Sequence, residues 1–303
     1  MKSELLEKIN EVERIAALSK FGRLCNNPYK YISAFMFRKF IYPRDRKERI
    51  KETGLFYGKK MRIALPASTD IYLTGGKSHH SEIRLARFLI SELNAGDHFL
   101  DIGAHFGYFT LLAAEMVGKT GKVFAFEPAG KSFALLLENS GGLEQVTVFR
   151  KAVSDKVASL VFYEFPNMQS EYNTADIAQF EQEEWFDRAK PERVEVQAVT
   201  IDHIAAEYAF SPAVIKIDVE GGEFRVMQGG ADFFKKNNPR IVMEYLEPGR
   251  QNLSHRKAAE FLSGLGYKPY IIDNSGQIRP VQDIDGYMQA SGMESDNIVF
   301  TRN

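Results

Sequence analysis

The stretch LDIGAHFGYFT, residues 100–110, decides the fold. An apolar strand ends in Asp101, Gly103 and Gly107 bracket a tight turn, and a helix opens directly after it. Glycine lets a chain turn sharply and lets a ligand approach its backbone. The first turn of a helix presents N–H groups without intrahelical partners, which suit an anionic ligand group. Taken alone, such a turn can equally do no more than pack a helix on a strand.

Outward from this loop the apolar pattern alternates between strand and helix. HFLDIG (98–103), KVFAFEP (122–128), VTVFRKAV (146–153), VASLVFYEF (157–165), VEVQAVTI (194–201), AVIKIDV (213–219) and RIVMEYLEP (240–248) read as strands, and YKPYIID (267–273) and NIVFTRN (297–303) as the last two. YFTLLAAEMV (108–117), KSFALLLENS (131–140), EFRVMQGGADFFKK (223–236) and HRKAAEFLSGLG (255–266) read as helices, with a short helix starting at Asp202. Strands alternating with helices of about 10–15 residues indicate βαβ units and a largely parallel sheet. Nearly continuous apolar strands fit burial on both faces.

Upstream, residues 3–20 read as an amphipathic helix and 28–52 as a helix interrupted at Pro43. LFYGKKMRIALP (55–66) and DIYLTG (70–75) suggest a short hairpin, and 81–93 a helix with Ser81 as N-cap. The expected division is an N-terminal helical and hairpin appendage over residues 1–80 and an α/β domain over 81–303.

The composition is ordinary for a globular chain of 303 residues, with 44% hydrophobic and 26% charged residues. No apolar run approaches the roughly 18 residues that span a bilayer, and the charged start lacks a signal-peptide core, so a cytoplasmic protein is expected. The single cysteine, Cys25, excludes an intramolecular disulfide and a multi-cysteine metal site. Charge is uneven: residues 19–63 hold 13 Lys or Arg against 3 Asp or Glu, and nine aromatic residues besides. Two readings stand for this segment. It is a helical appendage whose aromatics pack inward, or it is a peripheral contact with an anionic membrane, on the inner face, or with a lipid-linked substrate. No nucleic-acid recognition motif accompanies the charge, and nucleic acid is not expected as a partner.

Glu127 stands 24 residues after Gly103, at the end of the next strand. An acid near that spacing accepts both ribose hydroxyls of an adenosine-containing ligand. A dinucleotide fingerprint has a second glycine where this chain has His105, whose side chain would crowd a pyrophosphate. That argues against a nicotinamide dehydrogenase, and no phosphate-binding P-loop string occurs.

At these residues the chain resembles the FkbM family of S-adenosylmethionine-dependent methyltransferases. The resemblance covers roughly residues 80–300. It rests on DIGAHFGYFTLLAA, VFAFEP, KAVSD, VTIDHI, VIKIDVEGGE and PRIVMEY in that order. It implies a Rossmann-like methyltransferase domain with a seven-stranded, mostly parallel sheet whose final strand is antiparallel. It implies that Asp101, Gly103, Ala104, His105 and Gly107 hold the methionine end of S-adenosyl-L-methionine. Glu127 and Pro128 would lie at the ribose, Ser154 and Asp155 near the adenine, and Glu82 beside the cofactor or acceptor. The family usually has Asn at the position of His105. Such enzymes often methylate hydroxyls of sugars, glycolipids or natural products, so a small-molecule or glycan acceptor is expected. The alternative is a cofactor-binding module that assists a biosynthetic cluster without transferring a methyl group.

A hydroxyl acceptor must lose its proton, and a positioned carboxylate can take it. Asp218 and Glu220, after the strand VIKI, and Glu244, on RIVMEY, are the candidates, at strand ends where open α/β sheets place their sites. Asp218 is also placed beside the cofactor. Asp218 or Glu220 is expected as the base with Glu244 assisting, and alternation puts the first two on one face if the strand continues through them. Three carboxylates suit Mg²⁺ or Ca²⁺ without demanding either, and no metal site is expected. Glu223 reads as a helix-start acid. Residues 166–193 are long enough for a lid, in which Tyr172, Trp185 and Phe186 either stack on an acceptor or anchor the loop.

Overall fold

The apolar runs flanking the Gly103–Gly107 turn become the centre of one sheet. The computed structural model describes residues 1–180, 185–250 and 252–302. Its strands are β1 (Arg49–Gly54), β2 (Lys60–Leu65), β3 (His98–Ile102), β4 (Lys122–Phe126), β5 (Val146–Phe149), β6 (Ala152–Val153), β7 (Ala158–Glu164), β8 (Glu192–Val199), β9 (Val214–Ile217), β10 (Arg240–Leu246), β11 (Lys268–Ile272), β12 (Ile278–Pro280) and β13 (Ser295–Thr301). The main sheet has the order β12-β11-β13-β10-β9-β3-β4-β5. β3, β4, β5, β9 and β10 are parallel, and β13 enters antiparallel between β10 and β11. The seven expected strands, with an antiparallel last one, are all in this sheet. The eighth, β12, is a three-residue edge strand that folds back on β11.

The chain runs outward from β3 to β5, then returns to lay β9 against the other side of β3. Loops leaving β3 and β9 therefore diverge, and the gap between them is where doubly wound sheets bind ligands. On one face, Phe99, Val123, Val214, Val242 and Val299 pack under the helices His80–Glu92 and Tyr108–Val117. Leu5, Ile9 and Val12 of the first helix, Lys2–Ala17, join the same cluster. Buried Arg87 ties that helix down through Asn10 and Glu13, both at 2.7 Å. The N-terminal helices thus share the core of the sheet they cover. No described helix is long and apolar enough to cross a membrane.

Several elements differ from the sequence reading. VTVFRKAV is two strands in two sheets: β5 ends the main sheet, and β6 opens a small sheet of order β6-β8-β7. The hairpin is β1 with β2, not 55–66 with 70–75, and Thr69–Thr74 is a helix. β1 carries charges on a largely solvated strand, which hid its period. The helix read over 28–52 stops at Asp45, where Arg46 turns left-handed at φ 54°, after a π-helical turn at Phe37–Ile41. A π-turn just before Pro43 fits a residue that lacks an N–H for the helical ladder. Ser81 does not cap its helix: the helix starts at His80 with His79 before it, and Ser81 contacts the His79 ring at 2.7 Å. A helix at Ile284–Ser291 was not foreseen.

EFRVMQGGADFFKK is two helices, Glu223–Gln228 and Ala231–Lys236. A Cβ on Gly229 would lie 2.0 Å from the Ser154 carbonyl oxygen, so the break lets the chain pass against the cleft wall. Gly229→Ala should cost about 1–3 kcal/mol. Gly264→Ala, at a helix end with nothing within 4 Å of its new Cβ, should be neutral or stabilising by up to about 1 kcal/mol. Urea unfolding of both variants checks the contrast.

Candidate active site

The site is built where β3, β4, β9 and β10 end. Gly103 follows β3 with φ 78°, and a Cβ there would sit 1.7 Å from the Asp218 carbonyl oxygen. Only glycine lets the β3 and β9 loops touch. The turn spends its N–H groups inward: Gly103 and Ala104 both donate to the Phe126 carbonyl, and Gly107 to Ala104. His105 donates its N–H to Glu127 at 2.8 Å. The N–H groups read as suited to an anion are those of the helix that follows, from Tyr108, and these four lie before it. They brace the loop and aim the Glu127 carboxylate.

Glu127 ends β4 and is 5% exposed, accepting also from the Ala129 N–H at 2.9 Å. Burial pushes its carboxyl up to about 7, against the pull of these two hydrogen bonds. Burial likewise lowers the His105 ring to about 4, so it is neutral at pH 7. The ring stacks on Phe106 and meets the Ser170 hydroxyl at 3.2 Å.

Below the loop lies a cation absent from the sequence reading. Lys216, at the centre of β9, is 4% exposed. Its Nζ donates to the Gly103 carbonyl at 2.9 Å and lies 3.2 Å from Asp218 and 3.5 Å from Asp101. Burial opposes its charge, but the two aspartates outweigh that and raise its pKa. Asp101 is fully buried and accepts from Thr110 at 2.6 Å. The signal was present: a lysine inside the apolar run AVIKIDV needs a buried partner.

The cleft has a volume of about 920 Å³ and is lined by Glu82, Gly103, His105, Glu127, Pro128, Ser154, Asp218, Glu220 and Glu244. Asp101, Ala104, Gly107 and Asp155 are not on its wall. Asp101 supports from beneath, and Asp155 accepts from the Ser154 hydroxyl at 3.0 Å. Val153, Leu160 and Phe162 give the wall near Ser154 an apolar surface.

Asp218, Glu220 and Glu244 converge, with one carboxylate oxygen of each within 4.8 Å of the others. The route differs from simple alternation, because β9 stops at Ile217 and Glu220 adopts φ 51°. Its carbonyl accepts from Thr174 at 2.5 Å. Burial at the cleft floor would raise the Asp218 carboxyl, but Lys216 and Lys77 together hold it low. Glu220 is pushed well up by burial and by Glu244 and Asp218. Glu244 is raised to about 8 by burial and by Asp218. Such a trio can share a proton or hold a divalent cation. Glu223 lies beside them but off the wall, accepting from the Gly221 N–H at 3.0 Å and facing His255 at 3.5 Å.

Glu82 pairs with Lys77, which also faces Glu171 at 3.6 Å. Burial disfavours the Lys77 charge, and the two glutamates more than restore it. Asp70, on the same wall, is raised to about 7 by burial and by Glu82. The insertion after β7 thus grips the site three ways, through Ser170, Glu171 and Thr174. Tyr172 stacks on Trp185 at 5.0 Å, within a cluster that includes Phe165, Phe180 and Phe186. Only Tyr172 and Phe180 of that cluster reach the cleft. The acids of 181–184 lie outside the described residues.

The chain is an α/β protein with a doubly wound sheet and a cleft at its switch point. Residues 101–269 match the methyltransferase FkbM domain, and the chain belongs to that family. No curated protein matches the sequence. Among solved structures, methyltransferase FkbM from Methylobacillus flagellatus KT is 13% identical with a TM-score of 0.41, covering 78% of this chain. The chain spans about half (52%) of that protein's length. An S-adenosylmethionine-dependent O-methyltransferase from Thermotoga maritima is 15% identical with a TM-score of 0.40, covering 83% of this chain and 77% of its own. Aeropyrum pernix fibrillarin, with natively bound S-adenosyl-L-methionine, is 11% identical with a TM-score of 0.40, covering 72% and 74%.

Lys216→Met should destabilise the fold by about 3–5 kcal/mol, because it strands buried Asp101 without its cation. Urea unfolding measures the loss. The double variant Lys216→Met/Asp101→Leu should recover part of it.

Proposed function

We propose that the protein is an S-adenosylmethionine-dependent O-methyltransferase acting on a hydroxyl of a sugar, glycolipid or natural product. The observation that carries this reading is that Glu127 and the Asp218–Glu220–Glu244 trio share one cleft. Its volume, about 920 Å³, falls in the usual small-molecule range of roughly 300–1,000 Å³. The residues fit the cofactor. Two features support it: buried Glu127 offers carboxylate oxygens for ribose hydroxyls, and the apolar Val153, Leu160 and Phe162 of the lining suit a flat apolar base.

When bound, S-adenosylmethionine supplies an activated methyl group, so the protein's work is alignment and removal of the acceptor's proton. Lys216 keeps Asp218 ionised and therefore a weak base. Glu220 and Glu244, with raised proton affinity, are better matched to accept the hydroxyl proton. They act as a coupled pair, and the proton belongs to the pair. His105, neutral and held by Ser170, orients the loop between the cofactor side and the trio. No step requires a metal, although the trio could hold one.

Calorimetry with S-adenosylmethionine and S-adenosylhomocysteine tests the cofactor, with NAD as control. Glu127→Ala should weaken the first two by at least about 30-fold. Absence of binding to the wild type would overturn the reading. In an acceptor screen, Glu220→Gln and Glu244→Gln should each lower kcat by about 10²–10⁴-fold with cofactor affinity kept. A base works deprotonated and Glu244 is raised to about 8, so kcat should climb from pH 6 to pH 8, and Glu244→Gln should shift that climb, because Glu220 is still raised by burial and Asp218.

A further inference from the structure

Seven of the eleven large apolar side chains exposed among the described residues fall between Phe21 and Ile41. They sit on three consecutive short elements, Lys20–Asn26, Pro28–Met36 and Phe37–Ile41. Phe21 is 74% and Tyr29 78% exposed. Isolated exposed apolar residues are ordinary, but a cluster of this kind marks a contact surface. Ala34, Phe37 and Tyr42 are the buried anchors of the segment. The inward-packing reading therefore holds for Phe37 and Tyr42 and fails for Phe21, Tyr29, Phe35 and Phe40.

Charge decides what the surface fits. Residues 20–47 hold eight Lys or Arg and one acid, Asp45. Lys20, Arg38, Lys39, Arg44, Arg46 and Lys47 are exposed and interspersed along the chain with the apolar residues. The Lys39 ammonium lies 5.5 Å from the Phe35 ring centroid and 5.6 Å from that of Phe40, so cation and aromatic form one unit. A second copy of this chain would bring like charge against like charge. A bilayer with anionic headgroups satisfies both features: apolar side chains enter the headgroup boundary while basic ones meet phosphates.

We propose that the face formed by residues 20–47 docks on an anionic membrane surface. Arg23 and Arg38 of this segment also line the cleft. The docked face is therefore continuous with the cleft mouth, and an acceptor carried in the bilayer can reach it without crossing bulk water. That last consequence rests on the transferase reading, whereas the docking does not.

Co-sedimentation of the full chain with vesicles separates the two. Vesicles of phosphatidylcholine with one third phosphatidylserine should retain the protein at 0.1 M salt. Neutral phosphatidylcholine vesicles should retain at least five-fold less, since one basic residue near an anionic surface is worth roughly five-fold in partitioning. Raising salt to 0.5 M should release most of it. Phe21→Ser/Phe35→Ser/Phe40→Ser and Lys39→Glu/Arg44→Glu/Lys47→Glu should each abolish recovery, with melting temperature and S-adenosylmethionine affinity unchanged. Equal recovery on neutral and anionic vesicles, or on neither, overturns the proposal. So does dimerisation in solution that the serine variant abolishes while vesicles retain nothing.

Discussion

The site depends on one buried ammonium. Lys216 lies in the middle strand of a parallel sheet, where a charge is tolerated only when fully paired. Its three contacts, Asp101, Asp218 and the Gly103 carbonyl, belong to β3, the loop after β9 and the loop after β3. The cation thus joins the two diverging loops whose separation creates the cleft. Gly103 completes the junction, because its missing side chain is the space the Asp218 carbonyl occupies. Asp101 lies beneath the cleft wall in this arrangement. It neutralises the lysine from below and is steadied by Thr110 on the next helix.

The insertion between β7 and β8 is the second constraint. Its aromatics pack on one another in a small core of their own, while Met168 joins the main core and Ala175 packs on the small sheet. Anchored in this way, it turns polar residues to the cleft. Ser170 meets His105, Glu171 meets Lys77, and Thr174 holds the strained Glu220 backbone. A left-handed glutamate is costly for a residue with a Cβ, and such conformations persist where surrounding contacts over-determine them. Here the contact is the Thr174 hydroxyl, and the result is a carboxylate delivered to Asp218 and Glu244.

Much of this was legible in the chain. The parallel sheet followed from alternating apolar periods, and the loop from Gly103 and Gly107. Glu127 and the three acids were located by their positions at strand ends. Three kinds of information were not local. The split of 223–236 falls where Gly229 approaches the Ser154 carbonyl too closely for a Cβ, and the two residues are remote in sequence. The exchange of strand for helix around 49–74 arose because β1 is charged on its solvated side and carries little apolar period. The pairing of Asp101 with Lys216 was hidden because the lysine was read only as part of an apolar strand. Each miss concerns what a residue touches across the fold, which local pattern does not encode.

The same buried lysine explains why three neighbouring carboxylates are not equivalent. Acid pairs at one site separate in proton affinity when their surroundings differ. Asp218 touches the cation and is held ionised despite its recess. Glu220 and Glu244 share the recess and the negative charge of Asp218 without that direct contact, so both are driven toward the protonated form. Lys216 therefore divides the labour among the acids from a position where it touches neither glutamate. Asp218 becomes a fixed negative charge beside the Gly103 turn, and the glutamates become the pair whose proton can move. A substitution at Lys216 would weaken that distinction, leaving Lys77 to hold Asp218 down, and would loosen the loops. The join between the β3 and β9 loops and the larger part of the pull on Asp218 therefore come from one side chain, with Lys77 adding to the second.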